Sequence, residues 1–207
     1  MTLETVFKEL AGHYSKDELL INKCWKEIER NYSHKKRYYH NLSHLERLIE
    51  QLQEYQTVVT DWHTILFSVF YHDSIYKVLL KDNEEKSAAV AVNNLNKIGF
   101  PEQKIIECSK QILATKTHMA SADNDTNLFT DADLSVLGQA AHVYEEYCHQ
   151  IRKEYAVYPD IIYKPGRKKV IAHFLGMDSI FKTPAFFDRY EKQAKENLQL
   201  ELQKPGR

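Results

Sequence analysis

The chain has 207 residues, 43% of them apolar and 28% charged, with a formal net charge of −1. That composition suits one folded domain with a sizeable core and excludes extended disorder, while the near-zero charge provides no field favouring a nucleic-acid duplex or an anionic membrane. The three cysteines, Cys24, Cys108 and Cys148, are widely spaced and contain no CxxC pair, which excludes a disulfide framework and a thiolate zinc site.

In chain order, Met1 to Val6 has no basic stretch leading into an apolar one. The most apolar run, Ile65 to Tyr71, is far too short to span a bilayer, so the expectation is a cytoplasmic protein with no membrane partner. Gly and Pro number only six and five, and an apolar period of 3.6 recurs almost throughout. This predicts an all-α fold, a single-domain helical bundle over 1–207 with a central site. The first helices are expected at about 3–14 and 16–31, with Leu20, Cys24, Trp25 and Ile28 as a core stripe in the second. Lys35-Lys36-Arg37 and, further on, Arg167-Lys168-Lys169 read as solvated surface or as contacts for a phosphate.

Tyr39-His40-Asn41-Leu42-Ser43-His44 carries more chemistry than any other stretch. Ser43 followed by Glu46 matches a capping box, so the third helix is expected to begin at Ser43, with Leu45, Leu48, Ile49 and Leu52 on its apolar face. His44 then lies in the first turn and His40 just outside it. The two imidazoles therefore need not share a helix face. The next helix, Asp61 to Asp73, is apolar nearly all round, hence central, and ends on His72-Asp73. Asp82-Asn83-Glu84 caps a helix running to Ile98, with Ala88, Val92 and Leu95 inward; Gly99 ends it in the left-handed conformation, and Pro101 opens another reaching about Thr117. Ala120 to Thr130 is polar and reads as a loop. Helices follow at about 132–138, 140–156, 168–177 and 184–202, with Val157 to Gly166, which holds Pro159 and Pro165, as the longest irregular connection.

His44, His72, Asp73 and Asp133 are the candidate metal ligands, because divalent cations of this class take neutral imidazoles and carboxylates. A lone histidine on an apolar face is usually a hydrogen-bonded core residue. An adjacent His-Asp pair ending a buried helix is different, since burying two ionisable groups is costly unless something compensates. A metal compensates; so does a buried ion pair or a helix C-cap. Asp131 suits the N-cap of a helix beginning at 132 and leaves Asp133 facing inward, but spacing alone keeps both in play. With two imidazoles, two carboxylates and no thiolate, Mn²⁺, Fe²⁺, Co²⁺, Ni²⁺ and Mg²⁺ are all compatible, as one ion or two.

Taken together, the order H…HD…D resembles the HD superfamily of metal-dependent phosphohydrolases. Tyr39-His40-Asn41-x-x-His44, His72-Asp73, Ile112-Leu113-Ala114-Thr115 with His118-Met119, and Ala132-Asp133-Leu134-Ser135 are similar to the core motifs of cyclic-nucleotide phosphodiesterases. The catalytic domain of those enzymes is larger than this chain. A closer likeness is to a family of small bacterial proteins described as predicted metal-dependent HD phosphohydrolases. It rests on the same motifs, on Asp82-Asn83-Glu84 with Ser87-Ala88, on Gly166-Arg167 and on Ala194-Lys195-Glu196-Asn197-Leu198, and covers about 38–202.

The resemblance implies that His44, His72, Asp73 and Asp133 hold a first ion, with Asp73 bridging to a second where one is present. His40 matches the position that protonates the leaving oxygen. The implied reaction is hydrolysis of a phosphate ester in a small phosphorylated substrate such as a nucleotide. Glu84, His118 and Arg167 are candidate substrate contacts, Arg167 because a guanidinium can hold two phosphate oxygens at once. Helix capping or solvated surface is the plainer account of all three. Tyr158 and Tyr163 are candidates for stacking on a base. Two other classes stay open. One is a degenerate HD module that binds a nucleotide or partner without turnover, against which the intact ligand set weighs. The other is an HD-type di-iron oxygenase, which needs further histidines between the HD pair and the last Asp, where only His118 is available.

Overall fold

Helix α4 (Trp62–Tyr71) is the element around which the first part of the chain packs: every residue from Thr64 to Tyr71 is buried. It lies against α3 (Leu42–Gln53), α5 (Asn83–Ile98) and α6 (Glu102–Ala114), while α1 (Leu3–Gly12) packs on α2 (Glu18–Tyr32) and α3. A helix apolar on all sides is stable only in such a surrounded position. The computed structural model describes residues 2–203, and ten α-helices with two short 3-10 turns, and no strand, occur among them. The all-α expectation holds, and no helix among the described residues is long and apolar enough to cross a membrane.

The chain divides into two compact units, one running to Thr130 and the other starting at Asp131. In the first, the rings of Phe7, Trp25, Phe67, Phe70 and Tyr71 meet in edge-on and tilted contacts, the arrangement favoured by ring quadrupoles. Gly99 takes a left-handed φ of 79° and closes α5 as expected, so that α6 folds straight back along it. In the second unit, α10 (Pro184–Gln203) packs on the 3-10 turn Ser135–Gly138 and on α9 (Asp160–Leu175), and α8 (Ala141–Glu154) packs on the same turn. Gly138 is required there. A Cβ at this position would lie 2.5 Å from Tyr190 Cβ and 2.6 Å from its carbonyl oxygen.

Two stretches differ from the sequence expectation. The polar segment before Asp131 is not a loop throughout: α7 spans Asn124–Leu134. Asp123 caps it, accepting from the Thr126 N–H at 2.9 Å, and Leu128, Phe129 and Ala132 give it a buried face. Its polar residues are inward as well. Asp125 is buried and accepts from the N–H groups of Thr60 and Asp61 at 2.9 and 2.8 Å. The Val157–Gly166 stretch is also mostly helical, since α9 begins at Asp160 and carries Pro165 inside it. That proline removes one backbone donor from the partner position four residues back, Ile161, which is 82% exposed and can satisfy its carbonyl with water.

Candidate metal centre

The chain enters α3 through Asn41, two residues before the capping box suggested. Asn41 Oδ1 accepts from the Ser43 N–H at 3.0 Å, and its amide donates back to the Tyr38 carbonyl at 2.9 Å. Asparagine is as good an N-cap as serine, and it comes first in the chain. The consequence for the histidines is unchanged. His44 lies buried in the first turn, and His40 sits outside the helix, half-buried.

Asp61 opens α4, its carboxylate accepting from the Thr64 N–H at 3.2 Å and pairing with Lys104 at 2.8 Å. At the other end His72 takes the C-cap position. Its Nδ1 faces the Val69 carbonyl at 2.9 Å, which makes Nδ1 the protonated nitrogen and turns the Nε2 lone pair the other way. His44 Nε2 lies 3.2 Å from His72 Nε2, and Asp73 Oδ2 lies 3.2 Å from that same nitrogen. Adjacent ligands of an octahedral ion with bonds near 2.1 Å stand about 3 Å apart, so the His44–His72 spacing fits two ligands of one cation, while Asp73 is not among the residues whose ligand atoms all lie close to one another.

Asp133 lies in the last turn of α7, the helix that begins in the first unit. One ligand atom from each of His44, His72 and Asp133 lies within 4.8 Å of the other two, a group that could hold a metal ion. Asp131 takes a different role from the one its spacing suggested. It does not start a helix, and two positions along a helix are about 200° apart, so it faces away from Asp133. Within the second unit it is fully buried and caps the entry to α10. Its carboxylate accepts from the Lys182 N–H at 3.0 Å and from the Thr183 N–H and hydroxyl at 2.8 and 2.7 Å. The buried Lys182 ammonium stands 3.3 Å away. No thiolate joins the donors: burial pushes the Cys108 thiol behind Ser68 up to about 12.

His40 stands beside this group. Its Nε2 is 3.9 Å from Asp73 Oδ2, and its ring stacks on Tyr76 with centroids 4.1 Å apart. A residue that composition could not single out ties the two halves together. Arg37 Nη1 donates to the carbonyls of His40 at 3.1 Å and Asp73 at 2.7 Å, and Nη2 donates to the Ser74 carbonyl at 3.1 Å. Its guanidinium lies over the rings of Tyr32 and Tyr76, and the Tyr32 hydroxyl accepts from the Asp73 N–H at 3.0 Å. One planar fork therefore fixes both the histidine loop and the HD turn. Of the basic cluster read as surface or phosphate contact, this member is a scaffold.

The remaining candidates lie elsewhere. Glu84 is in the first turn of α5, and His118 follows α6 with a left-handed φ of 53°. Neither joins the donor group. Arg167 belongs to α9 in the second unit, where Nε and Nη2 hold both Glu201 oxygens at 2.8 and 2.9 Å. Tyr163 in the same helix carries the Arg152 guanidinium over its ring, and Tyr158 packs on Tyr155. Comparison of the chain with family models, with curated proteins and with solved structures finds no match.

Proposed function

We propose that the protein is a metal-dependent phosphohydrolase of the HD type, acting on a phosphate ester of a small metabolite such as a nucleotide. The observation that carries this reading is the group of His44, His72 and Asp133 ligand atoms within 4.8 Å of one another, with Asp73 Oδ2 3.2 Å from His72 Nε2 and a third imidazole, His40, just outside. The donor chemistry fits a divalent cation: the atoms that meet are imidazole nitrogens and carboxylate oxygens, and the Val69 carbonyl fixes the tautomer that leaves His72 Nε2 basic. A cation held by His44, His72, Asp73 and Asp133 supplies Lewis acidity toward a phosphoryl oxygen and lowers the pKa of water.

The chain's own residues do the rest. His40 donates a proton to the ester oxygen as the P–O bond breaks and water adds to phosphorus, so that alcohol and phosphate leave without a strongly basic alkoxide. Such a donor contributes roughly 10²–10⁴-fold in rate. Tyr76 beneath its ring and Arg37 on its carbonyl hold the imidazole in place. Asp73 belongs to both functions, as a ligand and as a carboxylate 3.9 Å from His40 Nε2.

The test pairs metal analysis of the purified protein with a phosphate-release screen over nucleotides and phosphomonoesters. Metal-dependent release that is lost in Asp73→Ala and kept in Asp61→Ala supports the reading. Stoichiometric metal with no turnover of any ester favours a binding module instead, and bound iron with O₂ consumption favours an oxygenase.

A further inference from the structure

A cavity lies wholly within the C-terminal unit, and the proposed metal chemistry makes no use of it. Its volume is about 340 Å³, at the lower end of the range for small-molecule sites, about 300–1,000 Å³. Three helices present stripes to it at helical spacing. Ala141, Tyr144, Cys148 and Arg152 come from α8; Tyr163, Arg167 and Ile171 from α9; Asn197, Leu200 and Glu201 from α10. Stripes of this spacing ordinarily close on one another as core. Here they stay apart and bear charge.

The floor is a built polar network. Glu201 accepts from Arg167 Nε and Nη2 and from the Tyr144 hydroxyl at 2.5 Å, and Cys148 Sγ lies 3.3 Å from the same carboxylate. Burying such a pair gains little stability over apolar side chains of the same volume, so its retention beside a cavity asks for another reason. The charges divide unevenly. The lining carries four basic side chains, Arg152, Lys164, Arg167 and Lys168, against three acidic ones: Glu201 pairs with Arg167, Asp160 with Arg152 and Lys164, and Glu145 is the third. Among the described residues Arg167 Nη1 reaches only the Tyr147 hydroxyl, at 3.5 Å, and so has an N–H left over, and Lys168 stands exposed at the rim. The walls between are largely tyrosine rings and aliphatic carbons.

We propose that this cavity binds a small amphipathic anion, with an apolar aromatic or acyl body against Tyr144, Tyr163, Ile171 and Leu200 and one carboxylate or phosphate head held by Arg167 Nη1 and Lys168. The site is separate from the proposed hydrolytic centre and does not depend on it.

The probe is 8-anilinonaphthalene-1-sulfonate, an aromatic body with one anionic group, titrated by fluorescence into the folded full chain. Saturable binding to one site is expected. Lys168→Glu should weaken it about tenfold, a reversal of one exposed charge. Ala141→Trp, which fills the cavity from an exposed position, should abolish it. Asp73→Ala should bind the probe as wild type does. Displacement by decanoate identifies an acyl carboxylate as the source of the ligand, and displacement by phenyl phosphate an aromatic phosphate. Loss of binding in Asp73→Ala, or unchanged binding in both Lys168→Glu and Ala141→Trp, overturns the assignment. No saturable binding by a chain with intact near-ultraviolet circular dichroism overturns it as well.

Discussion

Two of the places where the protein buries charge are built on opposite principles. In the second unit Arg167 and Glu201 complete each other: a guanidinium fork meets both oxygens of a carboxylate, and tyrosine hydroxyls take part of what remains. At the end of α4 two imidazoles and a carboxylate meet. The Val69 carbonyl fixes the His72 tautomer, so His72 Nε2 and Asp73 Oδ2, 3.2 Å apart, are both electron-pair donors, and His44 Nε2 lies 3.2 Å from the same nitrogen. The first arrangement satisfies both carboxylate oxygens within the protein. The second brings together a group that could hold a cation, and that is the physical ground for the metal centre we propose.

The largest effects should come from the open site, and they should separate two neighbouring histidines. His44→Ala removes a ligand. Its affinity for Mn²⁺, followed by titration calorimetry, should fall by more than the roughly 10–100-fold typical of losing an outer partner. His40→Ala should keep Mn²⁺ within about twofold and lose roughly 10²–10⁴-fold in phosphate-release rate. Equal loss of metal in both variants would erase the division of labour between them.

Next in size is the closed pair. Arg167→Ala leaves the Glu201 carboxylate buried without its partner and should cost about 3–5 kcal/mol in urea unfolding, whereas Arg167→Met with Glu201→Leu together should be close to neutral. Metal affinity should not change in either. The same contrast applies two residues apart on α7. Asp131→Ala strips the cap from α10 and strands the Lys182 ammonium, so it should lower stability; Asp133→Ala should lower Mn²⁺ affinity.

The difference in construction also explains what the sequence could reveal. The open site lies in short local motifs: the His40–His44 spacing, the His72-Asp73 pair at the end of an apolar run, and Asp133 are each visible in a few residues. The all-α class and the closing turn at Gly99 were legible for the same reason, since periodicity and caps are local. Closed arrangements join residues far apart in the chain, such as Arg167 with Glu201 and Asp131 with Thr183, and no local pattern announces them. α7 was hidden because its buried residues include Asp125 and Asp131, polar side chains satisfied by distant backbone N–H groups, so it looked like a loop. Arg37 looked like Lys35 and Lys36 until the fold brought the carbonyls of His40 and Asp73 to its guanidinium.

Chelation should give a smaller effect that still tells the two places apart. A ligand present at 100 times its Kd stabilises the folded state by about 2.7 kcal/mol, which for a chain of this length is about 5–10 °C in Tm. Differential scanning fluorimetry with and without Mn²⁺ should show that shift in the wild type and in Arg167→Met with Glu201→Leu. It should be absent in His44→Ala. A Mn²⁺ shift that persists without His44 would place the cation elsewhere.

The smallest effect is the acid limb of the closed pair. Burial works to raise the Glu201 carboxyl, but the Arg167 guanidinium and the Tyr144 hydroxyl outweigh it and hold it below its usual 4.5. A carboxyl whose folded pKa is depressed binds fewer protons folded than unfolded, so stability rises with pH through that interval. The contribution of Glu201 is complete above pH 4.5 and is lost as pH falls through the lower folded value. Urea unfolding at pH 3 to 6 should therefore show a shallower acid slope in Glu201→Gln than in the wild type. Added Mn²⁺ should not restore the difference, because the cation belongs to the other site. An unchanged slope would mean that Arg167 does not hold this carboxylate ionised, and the pair would no longer serve as the closed half of the contrast.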